Sequence, residues 1–431
     1  MLFKNISYLD EYGNIQSNGY VRVENRNITY VGKDAPVQQQ EEVFDGYGKL
    51  LMPGFVNSHS HTPMTLMRGY GEGMVLSKWL NECIFPFEAR LLQEDIYHAT
   101  LLGIAEMMRF GIVSTTDMYY FIPKMTSAFI SAGMKASLSH TIVGTFGGDF
   151  TRCPACIDSK KAFLNYNGSG DDLIRIDIGI HAEYTTDEKA VWGAVNLAKD
   201  LKTGIHLHLS ETKEEVEGCK SRRKGLTPVQ YFNRLGVFDV PVVAAHGVWL
   251  EGEDYDILAN HQVTIASCPK SNLKLASGVL DYGKLRKAGI RVAIGTDSVA
   301  SNNNLNMLEE IKFFSLLQKN RLGDPTEIKP MEVLDLAIGN GFAAQRRTDS
   351  GNIAVGKRAD LIVVDMSGPH WQPEHQILNH LIYSSVGSDV VLTMIDGQIV
   401  YNNGEYLTID MEQVLFEVKA SKSRILDELR K

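Results

Sequence analysis

The chain has no run of about 18 uncharged apolar residues, the length a helix needs to cross a bilayer, so no membrane span is expected. It has no long basic block. Arg222-Arg223-Lys224 is the densest run, and it reads as a solvated face. With 43 Lys and Arg against 52 Asp and Glu, the net charge is -9. Nucleic acid is therefore not an expected partner. Cysteine is sparse: five residues, Cys83, Cys153, Cys156, Cys219 and Cys268, odd in number and scattered. That pattern predicts reduced thiols in a cytoplasmic protein rather than a disulfide framework. Residues 1–16 carry Lys4, Asp10 and Glu11 and no apolar block, so they do not resemble a signal peptide. Low-complexity segments are missing, and no internal repeat stands out beyond an alternation of strands and helices.

What is present is an ordinary globular composition, 44% apolar and 22% charged over 431 residues. That length allows one large core and a second, smaller unit. Residues 1–52 alternate in short pieces separated by Gly13-Asn14, Asn18-Gly19 and Gly32-Lys33-Asp34, which is hairpin punctuation. Residues 356–431 repeat the style, with Asp396-Gly397 as a tight turn and a charged helical pattern over 411–431. The two ends are expected to build one small β-sandwich-like domain together. Between them, residues 53–355 alternate differently. Buried strands are predicted at 52–59, 112–117, 136–143, 174–181, 204–210, 242–246, 263–267 and 292–297. Helical patterns lie between or after them, including 92–110, 188–201, 254–261, 282–288, 304–320 and 332–342. Eight such alternations match a (β/α)₈ TIM barrel in count and size. A doubly wound sheet is the rival, with its ligand in a single crevice.

The strand ends favour the barrel. Four of them carry metal-ligating side chains: His59-Ser60-His61, His206-Leu207-His208, Ala245-His246 and Thr296-Asp297. Groups on strands this distant in sequence meet only on a closed rim. His residues at i and i+2 on a strand face one side and can share an ion. An isolated His-x-His is also compatible with two inert, hydrogen-bonded side chains. His206, lower on its strand, reads as a satisfied structural histidine rather than a ligand. Glu211 follows the fifth strand and can shuttle a proton beside the ion. Three neutral imidazoles and one carboxylate suit a single Zn²⁺ with an open position for water, whose pKa the ion lowers; Fe²⁺ or Ni²⁺ accept similar ligands.

Several longer stretches are distinctive. They are Pro53-Gly-Phe-Val-Asn-Ser-His-Ser-His61, His208-Leu-Ser-Glu211, Ala245-His246-Gly247, Ser267-Cys-Pro-Lys-Ser-Asn-Leu-Lys-Leu-Ala276, Gly295-Thr-Asp-Ser-Val-Ala-Ser-Asn302 and Gly351-Asn-Ile-Ala-Val-Gly-Lys-Arg-Ala-Asp360. With these motifs the chain resembles the amidohydrolase superfamily. Its nearest branch is that of the 5'-methylthioadenosine/S-adenosylhomocysteine deaminases, with triazine hydrolases as relatives. The resemblance runs from about residue 6 to 405. It implies His59, His61, His208 and Asp297 as metal ligands, and Glu211, His246 and Asp297 as catalytic groups. It implies one ion rather than two, because strand four ends in His181 where two-metal members carry a bridging lysine. His181 and Glu211 would then face substrate, and Glu88 would accept the two ribose hydroxyls. His140 stands where the branch has an arginine, and Arg152 is the candidate replacement.

The reaction so implied is hydrolytic deamination of an adenosine-type nucleoside: 5'-methylthioadenosine, S-adenosylhomocysteine, adenosine or 5'-deoxyadenosine. Asp297 would take a proton from water, Glu211 would protonate the ring, and His246 would donate to the developing oxyanion. The 5'-substituent would lie under loops carrying Met67, Trp79 and Phe146. The alternative is another electron-poor heteroaromatic, such as an aminotriazine, a pterin or guanine. The remote alternative is a non-catalytic binding protein on this fold. The nucleoside is the expected partner, and a homo-oligomer is compatible with the sequence. Three patterns are set aside. Cys153-Pro-Ala-Cys156 has no second Cys pair. His181-Ala-Glu183 lacks the later P-C-x-x-C of the other zinc deaminase class. His370, His375 and His380 share no helix or strand face.

Overall fold

The computed structural model describes residues 1–37, 39–144 and 153–431. Eight strands form one parallel sheet in sequence order. They are Phe55–Ser60, Ile112–Tyr119, Lys135–Ile142, Ile174–Ile180, Ile205–Leu209, Val242–His246, Val263–Ser267 and Arg291–Ile294, the first to eighth barrel strands below. Their residues are almost all buried, as a sheet covered on both faces requires. Helices such as Gln93–Arg109, Ile122–Ala132 and Glu188–Leu201 supply the crossovers. The first and eighth strands meet through Asn57. Its Oδ1 accepts from the Thr296 backbone N–H at 2.9 Å, and its amide donates to Thr296 Oγ1 at 2.7 Å. The Asp297 N–H then donates to the His59 carbonyl at 2.9 Å. The ring is thereby closed, and the doubly wound alternative is excluded.

The second sheet draws on both ends of the chain. Its order is Glu405–Tyr406, Gln398–Asn402, Val390–Ile395, Leu361–Asp365, Lys49–Pro53, Leu2–Leu9, Ile15–Glu24 and Asn27–Gly32, with Val43–Asp45 also pairing Leu2–Leu9. The two halves join where Leu361–Asp365 runs antiparallel to Lys49–Pro53. Phe3, Ile6, Val21, Leu51, Val363 and Leu392 form a separate core there. The sheet is fastened to the base of the barrel by Lys135. This buried ammonium contacts Asp360 at 2.5 Å and Asp396 at 2.7 Å.

Four local expectations are corrected. Met52 and Pro53 pair in the terminal sheet, and the first barrel strand starts only at Phe55. The eighth strand stops at Ile294, because Asp297 turns into left-handed backbone (φ 62°). The helical pattern over 332–342 is two helices, Pro330–Ala337 and Gly339–Ala344, broken at Ile338 where φ, ψ are -124°, -86°. Cys153 and Cys156 are joined as a disulfide rather than reduced. Cys153 is the N-cap of helix Pro154–Tyr166, so Cys156 lies one turn on and the Cα atoms are 5.2 Å apart, within bridging range. Cys83, Cys219 and Cys268 are free and buried. Among the described residues no helix is long and apolar enough to cross a membrane.

Candidate metal centre and active site

The C-terminal ends of the barrel strands surround a pocket of ≈ 630 Å³ lined by His61, Glu88, His181, Glu211, His246 and Asp297, among others. Several strand ends reach it through strained backbone. Ser210 (φ 49°), His246 (φ 76°) and Asp297 (φ 62°) are all left-handed, a conformation that costs non-glycine residues energy and collects at functional sites.

Hydrogen bonds around the imidazoles fix which nitrogen is bare. His61 Nδ1 lies 2.6 Å from the Met118 carbonyl, and His208 Nδ1 lies 2.7 Å from the His181 carbonyl. A carbonyl only accepts, so both Nδ1 atoms carry the proton and both Nε2 atoms present lone pairs. Those two Nε2 atoms are 3.3 Å apart. His59 Nδ1 lies 2.8 Å from His206 Nε2, while His59 Nε2 is buried with no hydrogen-bond partner. Asp297 Oδ1 is 3.6 Å from His59 Nε2 and 3.4 Å from His61 Nε2. Burial holds the His59 imidazole neutral, at a pKa of about 3, and drives His208 well below its usual value. Burial opposes ionisation of Asp297, but His59 and the neighbouring imidazoles outweigh it and keep the carboxyl well below its usual range. Bare lone pairs and a carboxylate oxygen packed this closely repel one another. A divalent cation at their centre removes the conflict, so His59, His61, His208 and Asp297 fit a metal.

The remaining groups form the walls. Asn272 donates its amide to His246 Nδ1 at 3.1 Å, which places the ring proton on Nε2, 3.7 Å from Glu211 Oε2. Burial first, and the Asp297 charge second, raise Glu211 to about 8, so this carboxyl keeps its proton at neutral pH. Ser277 Oγ donates to Glu211 Oε1 at 3.3 Å. Glu88 ends the short helix Phe85–Glu88, reached through a π-helical turn at Leu80–Ile84. Burial raises it to about 7. His181 lines the pocket, with Nδ1 at 2.9 Å from Thr185 Oγ1. Trp79 lines the pocket as well, while Met67 is fully buried and does not reach it. His140 packs near Tyr120, with ring centroids 6.1 Å apart. Arg152 and Phe146 lie outside the described residues.

The sequence marks His206 as a satisfied structural histidine, and it is one, but it names neither the partners of His206 nor the other groups that hold the ligands. His206 bridges His59 and Ser139 Oγ, the latter at 3.2 Å. Asp117 Oδ2 accepts from Ser60 Oγ at 2.6 Å and from the Thr62 N–H at 2.9 Å, clamping the turn that carries His61. Ser271 Oγ donates to Asp297 Oδ2 at 2.6 Å. The stretch Ser267–Ala276 was visible as a motif, but nothing in it names Asp297 or His246 as its contacts.

The amidohydrolase family model matches residues 50–400. The chain belongs to the amidohydrolase family. Among its relatives is a 5-methylthioadenosine/S-adenosylhomocysteine deaminase of Dictyoglomus turgidum, 37% identical over 431 residues, covering 100% of this chain and 99% of that one. A 5'-deoxyadenosine deaminase of Methanothermobacter thermautotrophicus is 38% identical over 408 residues, covering 94% and 95%. An adenosine deaminase from Xanthomonas campestris, solved with bound zinc, superposes with a TM-score of 0.91 at 29% identity, covering 99% of this amidohydrolase and 98% of that chain.

Proposed function

We propose that this amidohydrolase is a metal-dependent deaminase of adenosine-type nucleosides, releasing ammonia and the inosine analogue. The observation that carries the reading is the buried Glu211 carboxyl 3.7 Å from His246 Nε2 on one wall, beside a ligand set for one ion. Zinc is the proposed metal, held by His59, His61, His208 and Asp297. When bound it supplies Lewis acidity that makes water a nucleophile at neutral pH.

The side chains supply the rest. Glu211 donates its proton to the ring nitrogen next to the amino-bearing carbon, which makes that carbon electrophilic. Asp297 accepts the proton given up by water and passes it to the amino group; the C–N bond then breaks, ammonia leaves, and the hydroxyl proton returns to Glu211 as the carbonyl forms. The His246 Nε2–H stabilises negative charge on the incoming oxygen, an electrostatic contribution of about 3–4 kcal/mol at comparable sites. Glu88 accepts the two ribose hydroxyls and holds the base for attack. His181 faces the substrate from strand four. Related enzymes are named for deaminating such nucleosides, which supports the substrate class.

The test is ammonia release from adenosine, 5'-deoxyadenosine, methylthioadenosine and S-adenosylhomocysteine, beside guanine, pterins and triazines. Turnover of the nucleosides is expected. Glu211→Gln should keep its metal and lose about 10²–10⁴-fold in kcat, the range of general acid–base catalysis. A wild-type enzyme that ignores every nucleoside overturns the reading. A Glu88→Ala enzyme that keeps full nucleoside KM removes the ribose role.

A further inference from the structure

The end of the second barrel strand carries a polar atom that nothing in the resting fold uses. Tyr119 closes strand Ile112–Tyr119, lines the metal pocket and is 2% exposed. Its hydroxyl is buried and has no hydrogen-bond partner among the described residues. Such a group is costly, because a phenylalanine would fill the same space without desolvating a hydroxyl. Buried polar atoms left unpaired are few in a folded protein, and each calls for a reason.

Two carboxyls stand near enough to supply one. Asp117 lies two residues earlier and so on the same face of the strand. Its Oδ2 accepts from Ser60 and from the Thr62 N–H, while its Oδ1 is buried without a partner. Asp117 Oδ1 and the Tyr119 hydroxyl therefore do not meet. Glu88 is the other carboxyl, and it lines the same pocket. Burial opposes its charge, and the Tyr119 hydroxyl is the first of the groups that favour it, ahead of His61. After burial, the Glu88 charge is in turn the largest reason that the Tyr119 phenol holds its proton well above the usual range. Tyr119 is thus a donor at any working pH, beside a carboxylate. The two side chains have unlike supports. Glu88 ends a short helix behind a π-helical turn. Tyr119 is held by a barrel strand whose parallel register runs up to the pair of Tyr119 with His140.

We infer that Tyr119 is the positioning residue for Glu88: its hydroxyl donates to the carboxylate as the nucleoside enters, and the remaining lone pairs receive the two ribose hydroxyls. The inference rests on the adenosine-type reading of the pocket and on the ribose role proposed for Glu88. An ionised carboxyl offers about four lone-pair sites, so one donor from the barrel and two from the sugar fit together. Tyr119 does not touch the sugar or the reacting carbon. It acts by fixing an acceptor that a short helix alone would leave free to turn, which lowers the ordering cost of binding.

The experiment measures kcat and KM of the metal-loaded enzyme on adenosine and on 2',3'-dideoxyadenosine, which lacks the two hydroxyls. The proteins are wild type, Tyr119→Phe, Glu88→Ala and the double variant. Tyr119→Phe should raise KM for adenosine about 5- to 10-fold, within the worth of one hydrogen bond. Its kcat, and its KM for 2',3'-dideoxyadenosine, should stay within about 2-fold of wild type. Added to Glu88→Ala, the same change should move the adenosine KM by less than about 2-fold, the non-additivity of two groups that act as one. Without substrate, Tyr119→Phe should melt at or above the wild-type temperature, since the hydroxyl has no partner to lose. A lower melting temperature would assign the hydroxyl a structural partner and overturn the inference. So would an unchanged adenosine KM, or an equal rise for both substrates. Full additivity with Glu88→Ala would mean that the hydroxyl meets the sugar itself, and the positioning role would fall. A wild type that deaminates neither substrate, or binds the two alike, overturns the ribose reading of the pocket and this inference with it.

Discussion

At the scale of single residues, the site is decided by which nitrogen of each imidazole is already engaged. His206 was legible in the sequence only as a histidine below the rim, and it is not a proposed ligand. Its contact with His59 Nδ1 nevertheless sets the His59 tautomer and ring plane. Removing such a support typically costs 10- to 100-fold in metal affinity. His206→Ala should show that loss in a zinc competition titration, and an unchanged Kd would show that His59 orients itself. The carboxyls predict a pH profile. Glu211 must hold its proton to act as donor, so activity falls as pH rises through its raised pKa of about 8. Glu88 must be ionised to accept two hydroxyls, so nucleoside binding weakens as pH falls through its raised pKa of about 7. A bell in kcat/KM for nucleosides, with its maximum between these values, is expected. Glu88→Gln should remove the acid-side limb, and a limb that persists would belong to another group.

At the scale of elements, two short junctions carry the geometry. Gly295 lies where the eighth strand passes the first. A Cβ there would come within 2.6 Å of the His59 backbone nitrogen and 2.9 Å of its carbonyl oxygen. Backbone cannot yield as a side-chain tip can, so Gly295→Ala should spread the two strands. Metal content on purification should drop while the far-UV signal stays. Full metal occupancy would show that the strands can shift without moving His59 and Asp297. The second junction is the turn after strand five. Glu215 accepts the Ser210 and Glu211 N–H groups at 3.0 and 2.6 Å, and it lies in the first turn of helix Lys213–Arg222. Glu215→Ala leaves those buried donors unpaired, and about 1–3 kcal/mol of stability should be lost for each. Thermal melting checks this; a melting temperature equal to wild type is the contrary result. The strands themselves were legible because parallel strands buried on both faces read as apolar runs. Their ends were not, because the left-handed residues at Ser210, His246 and Asp297 follow from closure of the ring and not from local propensity.

At the scale of the whole molecule, the barrel and the terminal sheet are joined by a buried charge cluster. Lys135 is 3% exposed, and Asp360 is not exposed at all. Deleting one partner of such a pair strands the other charge in low dielectric, at a cost of about 3–5 kcal/mol. Lys135→Met should lower the unfolding midpoint in urea by a corresponding amount. The cluster is at the opposite end of the barrel from the metal site, so kcat should not change. An unaltered midpoint would mean that Asp360 is satisfied by Ser350 and the Asp396 N–H without the lysine.

Much of this architecture could be read before any coordinates. Eight apolar runs, two hairpin-rich ends and ligating side chains at four strand ends are local patterns, and local patterns survive in a linear string. They specified the barrel and a metal-ligand set at its rim, and they singled out Glu211 as the candidate proton carrier. Other features needed the fold. His206 touching His59, Asn272 setting the proton on His246, and Asp360 meeting Lys135 are contacts between residues 147, 26 and 225 positions apart. No spacing rule links them, because they come from ring closure and from the docking of one sheet on another. Tautomers and the unpartnered His59 nitrogen are properties of that packing, and packing is decided in three dimensions.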